Sequence, residues 1–238
     1  MGKYTTVAIK VPDVNRSFVS GSYKYSDKSV ALANTNLLNK IIKDYLGFIN
    51  TWGTEFEIDN SIIASFIATE SGGKNAPPNK YDATGLMQVT PNSVWEILVK
   101  WQVMVDFPLS AKAKSFFNKA IPSSKNFNAN TLPSSAVKSE IRKALQNNSE
   151  FSIAIGTAVL RWLLEAFKDG DVASINKVMV SYNAGYYSMR NKVKGKLTTE
   201  QLLNNKTIPL ESRGYLLKML GVNGFLDLWF KNNLSVKK

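Results

Sequence analysis

The sequence contains neither cysteine nor histidine in its 238 residues. Without these side chains it can form no disulfide, no zinc site with Cys or His ligands, and no Ser-His-Asp or Cys-His catalytic arrangement. Any catalysis must therefore depend on carboxylates, lysine, tyrosine or hydroxyl groups, or on a metal held by oxygen ligands alone. The missing cysteines say little about compartment, because a chain without thiols tolerates reducing and oxidising surroundings equally.

Long apolar runs are also missing. The most apolar window, residues 153–167, is interrupted by Arg161 and Glu165. It falls short of the roughly 18 uninterrupted apolar residues of a membrane-spanning helix, so we expect no stable membrane insertion. Residues 1–7 show no apolar stretch resembling a signal peptide, and we therefore expect no standard secretory export.

Basic residues are abundant, with 30 Lys and Arg against 18 Asp and Glu and a net charge of +12. A basic surface attracts polyanions such as nucleic acid, anionic lipid or bacterial cell wall. The basic residues are scattered and no nucleic-acid recognition motif is present, so we expect no nucleic-acid partner. Two interpretations of the basic residues remain: they form an ordinary solvated surface, or they attract the protein to an anionic cell envelope.

Apolar residues recur at helical spacing along most of the chain. Thr35, Asp59 and Thr90 each precede such a stripe and are candidate N-caps. Helices are predicted from Thr35, over 60–71, from Pro91, over 134–147, over 149–168 and from Asp171 to Tyr182, and a last long one is predicted from Pro209 to Gly221. The sequence shows no alternation of strands and helices and no internal repeat, so it predicts a mainly α, compact fold.

The N-terminal part differs in composition from the remainder. Residues 1–34 are rich in Ser, Tyr, Lys and Asn, with a weak alternation over 7–11. We predict an N-terminal extension over 1–34, mostly loop with one short strand and packed on the core, followed by one helical domain over 35–238.

Glu70 is the strongest candidate for chemistry. It lies four residues after Phe66 and seven after Ile63, on the apolar face of its helix and at the helix C-terminus. Burial and the negative end of the helix dipole both raise the pKa of a carboxyl in that position. A glutamate that is partly protonated near neutral pH can donate a proton to a glycosidic oxygen. The helix alone also allows an ordinary exposed glutamate.

Short motifs follow one another in a fixed order around this residue. They are Glu70-Ser71, Gly85-Leu86-Met87-Gln88, Tyr182-Asn183-Ala184-Gly185 and Glu211-Ser212-Arg213-Gly214-Tyr215. Together they resemble the soluble lytic transglycosylase (SLT) family, the lysozyme-like group of glycoside hydrolases that includes goose-type lysozymes. The resemblance covers roughly residues 52–220 and implies a lysozyme-like (SLT/goose-type) helical domain with a substrate groove.

The resemblance also implies roles for individual residues. Glu70 is the single catalytic acid/base, and neither a metal nor a cofactor is expected. The implied substrate-binding residues are Gln88, Asn183, Tyr182, Tyr215, Ser71, Met87, Asn79 and Gly85. For Met87, plain core packing is an equally good interpretation. For Ser71, helix capping is the other interpretation.

The chain departs from the family pattern at several positions. Asn79 stands where the family often has Ser, Asp82-Ala83 replaces a common Gly-Ala, and Ser212 replaces the usual Thr. Residues 100–148 are longer and richer in Ser and Asn than the family requires. They form either an extra lobe over the groove or a loop.

The leading hypothesis is a lytic transglycosylase that cleaves peptidoglycan glycan strands and forms 1,6-anhydromuramic acid. The first alternative is a hydrolytic muramidase in which Asp82 positions water, although Asp82 is also a typical turn residue. The second alternative is an inactive wall-binding or virion structural protein. We expect a monomer whose partner is the bacterial peptidoglycan.

The biological setting follows from the same resemblance. A strongly basic chain rich in Lys and Asn is similar to phage endolysins and virion-associated lysins. We therefore expect it in the host cytoplasm and then, after release by a holin, in the periplasm or cell wall, or else carried in the virion.

Overall fold

The computed structural model describes residues 28–104, 108–169 and 172–232. The predicted extension up to residue 27, with its short strand at 7–11, lies outside the described residues, as does Asp171. The division into an N-terminal extension, a main domain and an extra lobe stays a prediction.

Within these ranges the chain is mainly α-helical, which confirms the predicted fold class. The helices are α1 (Lys28–Glu55), α2 (Asn60–Ser71), α3 (Pro91–Trp95), α4 (Trp101–Met104), α5 (Ala111–Ala120), α6 (Ser135–Asn147), α7 (Ser149–Ala166), α8 (Ile175–Ala184), α9 (Tyr186–Met189), α10 (Thr199–Asn204), α11 (Leu210–Leu220) and α12 (Phe225–Lys231). A π-helical turn, Glu96–Lys100, joins α3 to α4, and a 3-10 turn, Pro122–Asn126, follows α5. Strands β1 (Lys168–Asp169) and β2 (Val172–Ala173) pair antiparallel. None of the helices in the described part of the chain is long and apolar enough to cross a membrane.

Local capping explains where the helices around the site begin. The Asp59 carboxylate accepts a 2.9 Å hydrogen bond from the Ser61 backbone N–H at the start of α2. Thr90 accepts one of 3.1 Å from the Ser93 N–H at the start of α3, with Pro91 as the first helical residue. These two predicted helix starts are confirmed, because a side-chain cap satisfies N–H groups that have no partner within the helix.

Two predicted helix boundaries are wrong. Helix α1 begins at Lys28 and not at Thr35, since residues 28–34 contain no Gly or Pro to interrupt it and Ala31 packs against the core. The helix predicted from Asp171 begins at Ile175, because Val172–Ala173 form strand β2. A short helix that the sequence analysis did not predict, α12, follows α11 and buries Phe225 and Trp229.

Helix α7 lies at the centre of the fold. Every residue from 151 to 164 is buried, as expected for a helix that is apolar on all sides. Helices α1, α2, α5, α6 and α8 pack around it. The turn at 85–88 lies directly on α7, since a Cβ added to Gly156 would come within 2.5 Å of the Met87 side chain. Glycine at this position therefore allows the turn to reach its place beside α2.

The segment 100–148 contributes to the same core. Phe117 is fully buried and stacks on Trp52 of α1 at a ring-centroid distance of 6.0 Å, and it contacts Phe151 of α7 edge to face. Ile141 and Leu145 of α6 are also fully buried. At least part of this segment is thus packed as tightly as the rest of the fold.

Candidate active site

A cleft of about 1030 Å³ opens at the C-terminal end of α2. Its walls come from the end of α2, the connection between α2 and α3, the end of α8 and the first turns of α11. Six of the residues singled out by the sequence line it: Glu70, Asn79, Gln88, Tyr182, Asn183 and Tyr215. Four others, Ser71, Asp82, Gly85 and Met87, are not among its lining residues.

Glu70 occupies the last turn of α2, just before Gly72 ends the helix in the left-handed conformation (φ 61°). The residue keeps some contact with the cleft, while protein atoms surround its carboxyl group. Burial raises the pKa of Glu70 to about 7. The hydrogen bond from Tyr215 and the charge of Lys218 lower that pKa, and the charge of Glu211 raises it. Both protonation states of Glu70 are therefore accessible near neutral pH.

Two tyrosines hold the surroundings of Glu70 in place. The Tyr215 hydroxyl donates a 2.7 Å hydrogen bond to Oε1 of Glu70. The Tyr182 hydroxyl donates a 2.8 Å hydrogen bond to the backbone carbonyl of Met87 and so ties α8 to the turn at 85–88. Burial raises the pKa of both phenols well above the ordinary value, so each remains a neutral donor. Phe66 lies against both rings, with centroid distances of 4.9 and 5.9 Å.

The turn at 85–88 presents Gln88 to the cleft. Gln88 adopts a positive φ of 47°, which is uncommon for a residue other than glycine. Paired backbone hydrogen bonds of 3.1 and 3.2 Å between Thr84 and Val89 close the turn and hold it in this conformation. The Gln88 amide donates to the Gly85 carbonyl at 3.0 Å and accepts from the Asn79 amide at 3.3 Å. The two predicted sugar-binding amides, Asn79 and Gln88, are therefore neighbours.

A residue of α11 orients the side chain of Asn183. Its side-chain oxygen accepts a 2.6 Å hydrogen bond from the Ser212 hydroxyl, and Ser212 itself is fully buried. The amide nitrogen of Asn183 is then the group available as a donor in the cleft. Two motifs that are far apart in the sequence are joined by this contact.

Three predicted substrate contacts, Met87, Gly85 and Ser71, are not among the residues that line the cleft. Met87 is fully buried in the core. Gly85 (φ 80°) packs so closely on α6 that an added Cβ would come within 2.4 Å of the Leu145 carbonyl oxygen. The Ser71 hydroxyl donates to the backbone carbonyl of Ile67 at 3.1 Å. These positions favour the core-packing interpretation for Met87 and the capping interpretation for Ser71, and direct substrate contact by the three residues stays a prediction.

Asp82 pairs with an arginine from α6. Its two carboxylate oxygens accept hydrogen bonds from Nε and Nη2 of Arg142, the second at 2.8 Å. Its backbone is in the left-handed region (φ 69°), as in a tight turn. This placement favours the interpretation of Asp82 as a turn residue.

The sequence analysis assigned no role to two charged residues of the cleft, Lys218 and Glu211. Lys218 donates a 2.9 Å hydrogen bond to the Thr69 carbonyl, and burial lowers its pKa. Glu211 lines the cleft on its exposed side. Lys218 lies three residues after Tyr215 and Glu211 four residues before it, so helical spacing puts all three on one face of α11. This helical spacing is the sequence signal that could have identified Lys218 and Glu211 as neighbours of Tyr215.

Metal binding finds no support among the residues described. In that part of the chain no group of three or more Asp, Glu, His or Cys side chains is arranged to hold a metal ion.

A comparison with known families gave a match. The family described as "Transglycosylase SLT domain" matches residues 47–106 and 115–204. These segments make up more than half of the chain and include Glu70, Gln88, Tyr182 and Asn183. A comparison with curated proteins gave no match.

Proposed function

Because this chain belongs to the transglycosylase SLT domain family, we propose that it is a lytic transglycosylase of bacterial peptidoglycan. The bond cleaved is the β-1,4 linkage between N-acetylmuramic acid and N-acetylglucosamine. The observation that carries this proposal is the buried carboxyl of Glu70, whose pKa is raised to about 7 at the wall of a large cleft.

In the first step, protonated Glu70 donates its proton to the glycosidic oxygen as the bond from that oxygen to C1 breaks. A carboxyl with a pKa near the working pH is well suited to this step, since it is protonated often enough to act as an acid. Tyr215 remains hydrogen-bonded to the carboxyl and stabilises its ionised form once the proton has left.

In the second step, the ionised Glu70 accepts the proton of the muramoyl 6-hydroxyl while that oxygen bonds to C1. The product is a 1,6-anhydro ring, Glu70 is protonated again and no water is consumed. The 6-hydroxyl belongs to the same sugar as C1, so it is already held beside the reacting carbon.

The position of Asp82 supports this route over hydrolysis. An inverting glycosidase needs a second carboxylate about 6.5–9.5 Å from the acid in order to activate water. Asp82 is engaged by Arg142 and does not line the cleft. The carboxylate that the sequence suggested as a water-positioning base is thus poorly placed for that role.

A second candidate, a hydrolytic muramidase, is favoured by one observation. Glu211 lines the same cleft as Glu70 and its charge raises the pKa of Glu70, so the two carboxyls interact. In this alternative Glu211, and not Asp82, would direct a water molecule to C1.

We also propose a role in phage-driven lysis, as an endolysin that reaches the wall after holin release or as a virion-associated lysin. The support is compositional, since a charge of +12 suits binding to an anionic wall. An inactive wall-binding or virion structural role is less favoured, because Glu70, Tyr215, Gln88 and Asn183 are all present in one cleft. Detection of the protein in purified virions would separate the two lysin roles.

The deciding experiment is mass spectrometry of the sugars released from purified peptidoglycan. We expect muropeptides that end in 1,6-anhydro-N-acetylmuramic acid, lighter by one water than lysozyme products, and none from the Glu70→Gln variant. Reducing-end muramic acid as the main product would establish the hydrolase instead.

A further inference from the structure

An exposed tyrosine lines the cleft and has no role in the catalytic proposal. Tyr81 is 69% exposed, more than any other large hydrophobic residue in the described part of the chain. Single exposed apolar residues are ordinary on a protein surface. Tyr81 differs from them because it borders the space that the proposed function assigns to the substrate.

The loop that carries Tyr81 is held together by Asn79. The side-chain oxygen of Asn79 accepts hydrogen bonds from the backbone N–H groups of Tyr81 at 2.8 Å and Ala83 at 3.1 Å. The Asn79 backbone N–H donates to the Ala83 carbonyl at 3.0 Å, and the Asn79 carbonyl accepts from the Asp82 N–H at 2.9 Å. The side-chain oxygen of Asn79 is therefore used inside the loop at 79–83, which these contacts close.

Asp82 fixes the same loop to the body of the protein. Its backbone is in the left-handed region (φ 69°), and its carboxylate accepts from Arg142 of α6. Asn79 and Asp82 are also two of the positions at which this chain departs from the family pattern. Both departures contribute contacts to the loop beneath Tyr81. A loop fixed in this way holds its exposed side chain ready for a ligand.

The ring of Tyr81 suits one class of ligand. Lys80 Nζ lies over the ring at 4.8 Å from its centre, while most of the residue stays uncovered. The face of an aromatic ring is partially negative and attracts weakly positive C–H groups. A sugar ring offers C–H groups on its face and hydroxyls at its edge. The phenol of Tyr81 and the ammonium of Lys80 can form hydrogen bonds with those hydroxyls.

We propose that Tyr81 is a substrate contact that packs against the face of a sugar ring of the glycan strand, and that Asn79 is the positioning residue that holds it there. This inference rests on the proposed function, because the cleft must hold a glycan. Asn79 then acts through the loop and not by binding sugar itself. A contact of this kind is made equally before and during the reaction, so it lowers KM and leaves kcat unchanged.

The kinetic test measures the release of muropeptides from soluble peptidoglycan strands. Tyr81→Ala should raise KM by about fivefold or more, equivalent to about 1 kcal/mol of binding, at unchanged kcat. Tyr81→Phe keeps the ring and should have a KM close to that of wild type. Because Tyr81 is exposed, neither change should lower the melting temperature. An unchanged KM in Tyr81→Ala would overturn the contact.

The role of Asn79 is tested by a matched pair of variants. Asn79→Asp keeps an oxygen that accepts from the N–H groups of Tyr81 and Ala83, whereas Asn79→Ala removes it. Asn79→Ala should therefore raise KM and Asn79→Asp should not. In the Tyr81→Ala background Asn79→Ala should add little, since the two residues act as one unit. A full additional increase in KM there would show that Asn79 binds the sugar itself and would overturn its positioning role.

Two control variants alter exposed side chains that do not line the cleft. Leu132→Ala removes a large apolar side chain that is 61% exposed, and Glu200→Gln removes a charge from α10. Both should keep the KM of wild type. An increase in KM in Leu132→Ala as large as that in Tyr81→Ala would overturn a specific contact at Tyr81.

A binding measurement separates this inference from the proposed function. In the Glu70→Gln background, calorimetry with glycan strands whose stem peptides an amidase has removed should show weaker binding once Tyr81→Ala is added. Because these strands carry no peptide, the loss is assigned to the sugar rings. Such a loss without any cleavage by wild type would overturn the proposed function and support the contact. Equal binding with and without Tyr81→Ala would overturn the contact, while cleavage by wild type would uphold the enzyme.

Discussion

The Tyr215 hydroxyl donates a 2.7 Å hydrogen bond to the Glu70 carboxyl across a sequence separation of 145 residues. The contact joins the last turn of α2 to α11 and places a neutral phenol against a carboxyl whose pKa is raised to about 7. It stabilises the ionised carboxyl, whereas burial destabilises it. The balance of these two effects sets the pH range in which Glu70 can exchange a proton.

Replacement of the acid itself should abolish catalysis and preserve the fold. Glu70→Gln keeps the size of the side chain and its ability to accept from Tyr215, but it cannot donate the proton. We expect at least roughly a 100-fold loss of muropeptide release, the usual scale for removal of a general acid or base. The melting temperature should not fall, and Glu200→Gln should keep full activity. A variant that retains more than about a tenth of wild-type activity contradicts the assignment.

Removal of the Tyr215 hydroxyl should move the pH profile. The hydrogen bond lowers the pKa of Glu70, so Tyr215→Phe should raise that pKa and shift the alkaline limb of the pH–rate profile upward. The control is Tyr45→Phe, which removes a phenol that donates to the Gly73 carbonyl at 3.2 Å and does not line the cleft. An unchanged or downward-shifted limb in Tyr215→Phe would be inconsistent with the proposed role.

Glu70 should also make the stability of the protein depend on pH. Its folded-state pKa of about 7 exceeds the ordinary value of 4.5, so the folded state binds the proton more tightly than the unfolded state. The free energy of unfolding should therefore decrease as pH rises between these values, by on the order of 1–3 kcal/mol. Denaturant unfolding should find Glu70→Gln more stable than wild type at about pH 8 and nearly equal to it at about pH 4. Equal stability at both pH values would show that the carboxyl is not desolvated.

Two carboxylate variants should discriminate between the possible sources of a water-activating base. Asp82→Asn should leave the anhydro product unchanged and cost less than about 1 kcal/mol, since the Asp82–Arg142 pair is partly exposed. Glu211→Gln should also leave the product unchanged, although loss of its charge should lower the pKa of Glu70. Mass spectrometry of the products distinguishes the anhydro product from the reducing-end product in each variant. A reducing-end product that disappears in either variant would identify that residue as the base of a hydrolase.

Attachment to the cell wall should weaken as salt is added. The net charge of +12 is spread over the chain, and screening shortens the Debye length from about 8 Å at physiological salt to about 3 Å at 1 M. A pull-down of Glu70→Gln on purified walls measures binding without cleavage. Deletion of Lys237 and Lys238 should change it little, because the charge is dispersed. Binding that does not respond to salt would argue against an electrostatic contribution.

The mainly α fold and the position of the acid were predictable from the sequence because their causes are local. Helical spacing of apolar residues and the caps at Asp59 and Thr90 act within one or two turns. The grouping of Glu70 and the motif at 211–215 in one site also came from the sequence, through resemblance and not through geometry. The start of α1 was missed because Thr35, a residue type that caps helices, stands directly before the apolar stripe, and α12 was missed because its burial depends on distant partners.

Other features were decided only by tertiary packing. Arg142 of α6 pairs with the Asp82 carboxylate, and Gly156 of α7 allows Met87 to lie in the core. The pKa of Glu70 depends on how much water the surrounding helices exclude, and on charges at Lys218 and Glu211 that the fold brings near. Desolvation and long-range contacts exist only after the helices have packed together, so the sequence alone does not reveal them. The linear order of residues determined which groups this protein has for chemistry, and only the packed structure decided which of them share one cleft.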